Sequence, residues 1–282
     1  MLCVVNYASG EPFESYRRIC SWTAKWFGRA NKVFEYSSDD IPISYKEKHA
    51  KIFAYSRGAG LWLWKPYVIL DALKKIDDGD WLFYLDSGVT VINDLHKVQK
   101  AAIRYNQDIV LFEQPLLSRE FTKRECYVKL GIEDHGENQV WAQILIKKTS
   151  MSIKFIEEWL ALCEREDLLS PHHFYPEISE WDNFVAHRED QSLLDLLRKK
   201  YKLSVFRDCS DYGVMPFNYA YKNVTYNPKV YDNSPYPVII LANRSYNPFK
   251  YFIKYCIKRI LFELNIYYTE KRVLSNLKIL KQ

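Results

Sequence analysis

The chain of 282 residues has no apolar run approaching the roughly 18–20 residues that a membrane span requires, so it is not expected to cross a bilayer. It has no Cys-x-x-Cys pair: Cys3, Cys20, Cys126, Cys163, Cys209 and Cys256 are scattered. That pattern argues against a disulfide framework or a zinc site and for reduced thiols. There is no internal repeat and no low-complexity tract. The opening Met1-Leu2-Cys3-Val4-Val5-Asn6-Tyr7 carries no basic leader and no cleavage signal and reads as a first strand. A cytoplasmic location is therefore expected. The turn after it, Ala8-Ser9-Gly10-Glu11-Pro12, has one glycine and no basic residue.

What is present fits a folded enzyme-sized domain. Hydrophobic residues make up 48% of the chain, enough for a packed core, and the length suits one α/β domain plus an appendage. Aromatic residues reach 16%, with 22 Tyr and 8 Trp; carbohydrate sites use such faces, and so do ordinary cores. The net charge of +5 is uneven. Residues 246–282 hold eight Lys/Arg and two Glu, and the remainder 32 Lys/Arg and 33 Asp/Glu, so the positive excess lies in the tail.

Leu2–Tyr7 and Lys32–Tyr36 read as strands, as do 81–85, 108–112, 141–147 and 238–242. Helical spacing marks 14–28, 45–55, the segment after Pro66, a stretch from Asn93 or Asp94 to about 105, a long helix capped by Thr149, and 190–201. Alternating strands and helices predict a mixed or parallel sheet with helices on its faces. Residues 113–139 are polar and irregular and suggest a mobile loop on the acceptor side of a cleft. His172-His173, on a Pro-containing loop, read as surface residues.

The most informative stretch is Trp81-Leu82-Phe83-Tyr84-Leu85-Asp86-Ser87-Gly88-Val89. An apolar strand ends in one acidic residue, which delivers a carboxylate to the sheet edge where open α/β sheets hold ligands; a turn cap is the structural alternative. Upstream lies Arg57-Gly58-Ala59-Gly60-Leu61-Trp62-Leu63-Trp64-Lys65-Pro66, a basic, aromatic, Gly-containing loop that runs into a helix, with Pro66 suited to its first turn.

This arrangement resembles the nucleotide-sugar glycosyltransferases of the GT-A fold. It is closest to the family of glycogenin and the lipopolysaccharide galactosyl- and glucosyltransferases, whose strand reads Leu-Tyr-Leu-Asp-x-Asp. Bacterial capsule and O-antigen transferases with a Trp-x-Trp-Lys-Pro segment resemble it more closely still. The resemblance implies a GT-A-like (Rossmann-like), mostly parallel mixed α/β sheet over residues 1–245. It implies transfer of a hexose or N-acetylhexosamine from a UDP-linked donor to a bacterial surface polysaccharide or lipid-linked oligosaccharide, with retention slightly favoured. In that frame Asn6 and Tyr7 receive the nucleoside. Arg57, Trp64, Lys65, Asp86, Ser87 and Arg244 hold the rest of the donor. Asp190 and Gln191, in Glu189-Asp190-Gln191-Ser192, match a segment that faces the sugar and are the expected catalytic residues. Asp190 also matches the general base of inverting relatives. Gln139, Gln143 and His187 are the expected acceptor contacts. Family members bind Mn²⁺ or Mg²⁺ through two acidic residues and a late histidine. Here Asp86 is the expected metal ligand, Gly88 replaces the second acid, and no histidine follows His187. Either Asp86 holds a cation with water and phosphate, or Arg57, Lys65 and Arg244 compensate the diphosphate charge.

Residues 246–282 are expected to form a basic amphipathic helical extension, with Lys250, Lys254 and Lys258 on one stripe and Phe249, Phe252, Ile253, Cys256, Ile257 and Ile260 on the other. It either packs on the domain with lysines outward or docks on the anionic inner face of the cytoplasmic membrane. Nucleic-acid binding is not expected. A catalytically silent nucleotide-sugar-binding protein is one alternative. A sugar nucleotidyltransferase is another, disfavoured by the loop at 8–12.

Overall fold

The computed structural model describes residues 1–220, 223–243, 246–264 and 278–279. Its strands are β1 (Leu2–Tyr7), β2 (Lys32–Tyr36), β3 (Trp81–Tyr84), β4 (Thr90–Val91), β5 (Ile109–Leu117), β6 (Asn138–Lys147), β7 (Val205–Arg207), β8 (Thr225–Tyr226), β9 (Ile240–Leu241) and β10 (Lys278–Ile279). Eight of them form one sheet in the order β10-β8-β5-β6-β3-β1-β2, with β7 beside β5, while β4 and β9 pair separately. β1 is parallel to both β2 and β3, and β6 runs antiparallel between β3 and β5. The helices are α1 (Phe13–Trp26), α2 (Ile43–Lys48), α3 (Ala50–Phe53), α4 (Gly58–Leu61), α5 (Trp64–Lys74), α6 (His96–Arg104), α7 (Arg124–Leu130), α8 (Ser150–Cys163), α9 (Glu166–Leu169), α10 (Glu189–Lys200), α11 (Asp211–Val214) and α12 (Pro248–Glu263). This is the mixed α/β class expected, with helices on both faces.

The period of two along a strand builds the two faces. Cys3, Val5 and Tyr7 of β1 join a core with Val68, Ile69 and Leu73 of α5, Phe155 and Trp159 of α8, and Leu193 and Leu197 of α10. Leu2 and Val4 join the opposite core, with Cys20 and Ala24 of α1 and Val98 and Ala102 of α6. At the start of α8 the Thr149 hydroxyl accepts from the Ser152 N–H at 3.2 Å, and the Ser152 hydroxyl accepts from the Thr149 N–H at 2.9 Å. That reciprocal cap is worth about 1 kcal/mol.

Residues 113–139 are not a mobile loop. β5 continues to Leu117, α7 follows, and β6 begins at Asn138, three residues before the expected start. Glu120, Lys123 and Glu125 are buried here because each has a partner. Glu120 accepts from the Thr225 N–H at 2.9 Å, Glu125 from the Tyr175 N–H at 2.9 Å, and Lys123 Nζ donates to the Asp167 carbonyl at 2.9 Å.

α12 accounts for part of the expected tail helix, and residues 265–277 and 280–282 lie outside those described. The helix packs on the domain with Lys250 and Lys254 exposed, as one expectation had it, but Lys258 turns inward and the apolar stripe turns out. Tyr251 donates to Asp211 at 2.8 Å, Lys258 to Asn218 at 3.4 Å, and Phe262 lies 5.9 Å from Phe217, so this side faces the domain. The apolar stripe through Phe249, Ile253, Ile257 and Ile260 faces solvent. Among the described residues no helix is long and apolar enough to cross a membrane.

Candidate active site

β1 and β3 end side by side, and a cleft opens at their carboxyl edge. Tyr7, the last residue of β1, stacks on Trp64 with ring centroids 3.8 Å apart and planes 18° apart. Trp64 Nε1 in turn donates to the Gly58 carbonyl at 2.9 Å. That carbonyl belongs to α4, whose turn is left-handed. Gly58, Ala59, Gly60, Leu61 and Trp62 have φ of 60°, 50°, 96°, 54° and 59°. Residues with side chains rarely adopt this region, and runs of them cluster at functional sites. Glycine is required at 58, because a Cβ there would meet the Trp62 ring at 2.4 Å. The turn sets the Trp62 indole in the wall of a cavity of about 550 Å³, lined also by Tyr7, Phe13, Trp64, Asp86 and Ser87.

A second cavity of about 460 Å³ adjoins the first, and the two share Trp62, Asp86 and Trp141. Its lining is charged: Arg57, Lys65 and Arg188 stand against Asp86, Glu189 and Asp190. At the junction, Lys65 Nζ lies 2.9 Å from Asp190 Oδ2 and 3.7 Å from Asp86 Oδ1. Lys65 is 4% exposed and Asp190 3%. Burial opposes the Lys65 charge, but the two carboxylates outweigh it and hold the ammonium above its usual range. Burial pushes the Asp190 carboxyl up to about 6, and Lys65 draws it back down. Arg57 grips Glu189 with Nε 2.6 Å from Oε1 and Nη2 3.4 Å from Oε2, and burial raises that carboxyl too. Asp86 is oriented by the Tyr84 hydroxyl, which donates to Oδ1 at 2.6 Å, and by Gln143 Nε2, which donates to Oδ2 at 3.2 Å.

Tyr7, Trp64, Asp86 and Ser87 line the first cavity, and Arg57, Lys65, Asp86, Asp190 and Gln191 the second. Asn6 is not at the cleft. As an even-numbered residue of β1 it points to the opposite face, fully buried, and its amide donates to Ser21 of α1 at 2.9 Å. His187 lines neither cavity; it is buried, its Nδ1 faces the Lys123 N–H at 3.3 Å, and burial lowers its pKa to about 3, so it is neutral. Gln139 and Gln143 are fully buried supports rather than acceptor contacts. Gln139 Oε1 accepts from Gln191 at 3.0 Å and from Arg188 at 3.1 Å, while Gln143 holds Asp86. Lys65 is a bridge between two carboxylates, not a free cation. Arg244 lies outside the described residues.

The sequence reading missed Gln114, Arg188 and Tyr219. Gln114 Oε1 accepts from Arg188 at 2.7 Å and Gln191 at 3.0 Å, and its Nε2 donates to Tyr219 at 3.2 Å. The available signal was the pair Glu113-Gln114 interrupting an apolar strand.

A divalent cation needs several oxygen ligands. Asp86 is one carboxylate, and Gly88 has no side chain to offer. The nearest second carboxylate, Asp190, is joined to Asp86 through the Lys65 ammonium. Among the described residues no group of three or more His, Cys, Asp or Glu converges to hold a metal. Among the described residues this donor set does not fit a metal site, because the Lys65 ammonium lies between the two carboxylates.

No protein-family model matches the chain, and no curated protein matches it. Solved structures similar to it include glycosyltransferases. The galactosyltransferase LgtC, in complex with donor and acceptor sugar analogues, is 15% identical with TM-score 0.44, covering 85% of this chain and 86% of that one. Mouse xyloside xylosyltransferase 1 is 11% identical with TM-score 0.45, covering 85% and 96%. The glycosyltransferase GlyE of Streptococcus pneumoniae TIGR4 is 15% identical with TM-score 0.40, covering 94% and 64%. Each is a likeness of overall shape.

Proposed function

We propose that the chain is a glycosyltransferase that moves a hexose or N-acetylhexosamine from a UDP-linked donor to a glycan or lipid-linked glycan, without a divalent metal. The supporting observation is the buried Asp86–Lys65–Asp190 bridge at the junction of an aromatic and a charged cavity. The aromatic cavity suits a nucleoside, with Tyr7, Trp62 and Trp64 as stacking faces. The charged cavity suits the sugar and diphosphate, with Lys65, Arg57 and Arg188 as the cations nearest the leaving group. In the reaction the acceptor oxygen bonds to the anomeric carbon, the bond from that carbon to the phosphate oxygen breaks, and the nucleoside diphosphate leaves with the electron pair.

Asp190 carries the chemistry in this scheme. With retention, the outcome the resemblance implies, Asp190 and Gln191 steady the positive charge that develops on the sugar, and the acceptor proton passes to the departing phosphate oxygen. The raised carboxyl favours the other role: a base with pKa near the working pH takes the acceptor proton efficiently, and inversion follows. The anomer of the product separates the two.

The test is release of nucleoside diphosphate from a panel of sugar nucleotides, with Mn²⁺ and with EDTA. Release from one donor that survives EDTA and falls roughly 100-fold or more in Asp190→Asn is the expected result. Release that requires Mn²⁺ would overturn the metal-free scheme. Nucleotide binding with no transfer to any glycan or lipid-linked acceptor would favour a silent fold.

A further inference from the structure

α12 turns its apolar stripe away from the protein. Phe249 is 71% exposed, and Ile253, Ile257, Ile260 and Leu264 share that side. α1 does the same. Cys20, Thr23 and Ala24 face the core, while Ile19, Trp22 and Trp26, with Phe27 just beyond, face out, Trp26 at 64% exposure. Trp22 and Phe27 pack edge to face, 5.5 Å between centroids. The two helices are neighbours, because Ile19 of α1, Phe27 just beyond it, and Phe249 and Phe252 of α12 line one apolar groove of about 500 Å³, with Val91 and Ile92.

The charges around this face are mostly basic, with Glu14 in the first turn of α1 and Asp94 paired with Arg29 at 3.5 Å as the acidic exceptions. Arg18, Lys25, Arg29, Lys250 and Lys254 are exposed on or beside the two helices. No carboxylate occurs between residues 18 and 27, and the only one between 249 and 264 is Glu263, which is paired with Arg259.

We propose that α1 and α12 together form a docking surface for an anionic lipid bilayer. Tryptophans beside Lys and Arg are the residues that settle at a membrane–water interface. Basic side chains flanking an outward apolar stripe add attraction to acidic headgroups while their stems lie along the apolar layer. A second copy of the chain is disfavoured as the occupant, because it would set basic flank against basic flank. The groove gives an acyl chain a place between the helices. α1 also supplies Phe13 to the aromatic cavity, so docking would bring the cleft close to the lipid surface. The inference does not depend on the reaction proposed above, and binding is read without substrate.

The test is flotation of the full chain with vesicles of phosphatidylcholine alone and with added phosphatidylglycerol. The expected result is co-flotation with the anionic vesicles. Trp22→Ala/Trp26→Ala and Lys250→Glu/Lys254→Glu should each weaken it by roughly tenfold or more. All four positions are exposed, so unchanged circular-dichroism melts should show that the variants fold. Equal binding to neutral and anionic vesicles, or variants that float like wild type, would overturn the proposal. So would absence of flotation together with dimerisation in sedimentation that the tryptophan variants abolish; the face would then be an interface between copies.

Discussion

Burial raises the Asp190 carboxyl and Lys65 lowers it, so neither residue's charge is independent of the other. A carboxyl near 6 when folded, against about 4 when unfolded, binds more protons in the native state between those values. Its contribution to stability is therefore fully present below about pH 4 and lost as pH rises towards 6. If Asp190 acts as a base, activity runs the opposite way, and kcat/KM should climb as pH passes about 6. Lys65→Met removes the group that lowers Asp190, so the acidic limb of the pH–rate profile should move to higher pH, while Lys65→Arg should keep it near the original position. An unmoved limb in Lys65→Met would remove Asp190 from the base role. The same substitution strands a buried carboxylate, and removal of one partner of a buried pair costs about 3–5 kcal/mol, to be read from the urea midpoint.

Among the elements, α4 is the one whose geometry is specific to the site. Its left-handed turn keeps the Trp62 indole between the two cavities, and Gly58 is pinned beneath that ring. Gly58→Ala imposes a Cβ at φ 60° and drives it into the ring. The conformational strain alone should cost roughly 1 kcal/mol, and displacement of the indole should weaken nucleotide-sugar binding as well. Gly79 is the control, since it has φ 85° with open space around it. Gly79→Ala should lower stability by a similar amount and leave binding unchanged in a titration. Equal binding by the two variants would mean that Trp62 does not contact the donor.

The sheet and the main helices were legible across the whole molecule because apolar periodicity reports them directly. β1 and β2 lie where the sequence put them, and Pro66 stands in the first turn of α5. Asp86 reached the cleft because a strand that ends in an acid can deliver it only at an edge. Asn6 failed by the same logic: one residue from Tyr7 on a strand, it belongs to the other face. Glu120, Lys123, Glu125, Gln139 and Gln143 were misread because polarity was taken for exposure, and a buried polar side chain with a partner leaves no mark in composition. The stripes of α12 were visible, but amphipathicity does not say which side a helix turns to its own core.

The charged cavity also has a thermodynamic consequence. Three cations and three carboxylates already balance within it, so a diphosphate held by Lys65, Arg57 and Arg188 still leaves the cavity with net negative charge. Asp190 and Glu189 both have raised carboxyls, and a nearby anion raises them further. Donor binding near neutral pH should therefore draw protons from solution, and the heat of binding should vary with the ionisation enthalpy of the buffer. By reciprocity the donor binds more tightly in acid. If Asp190 is the base, affinity and turnover then have opposite pH dependences.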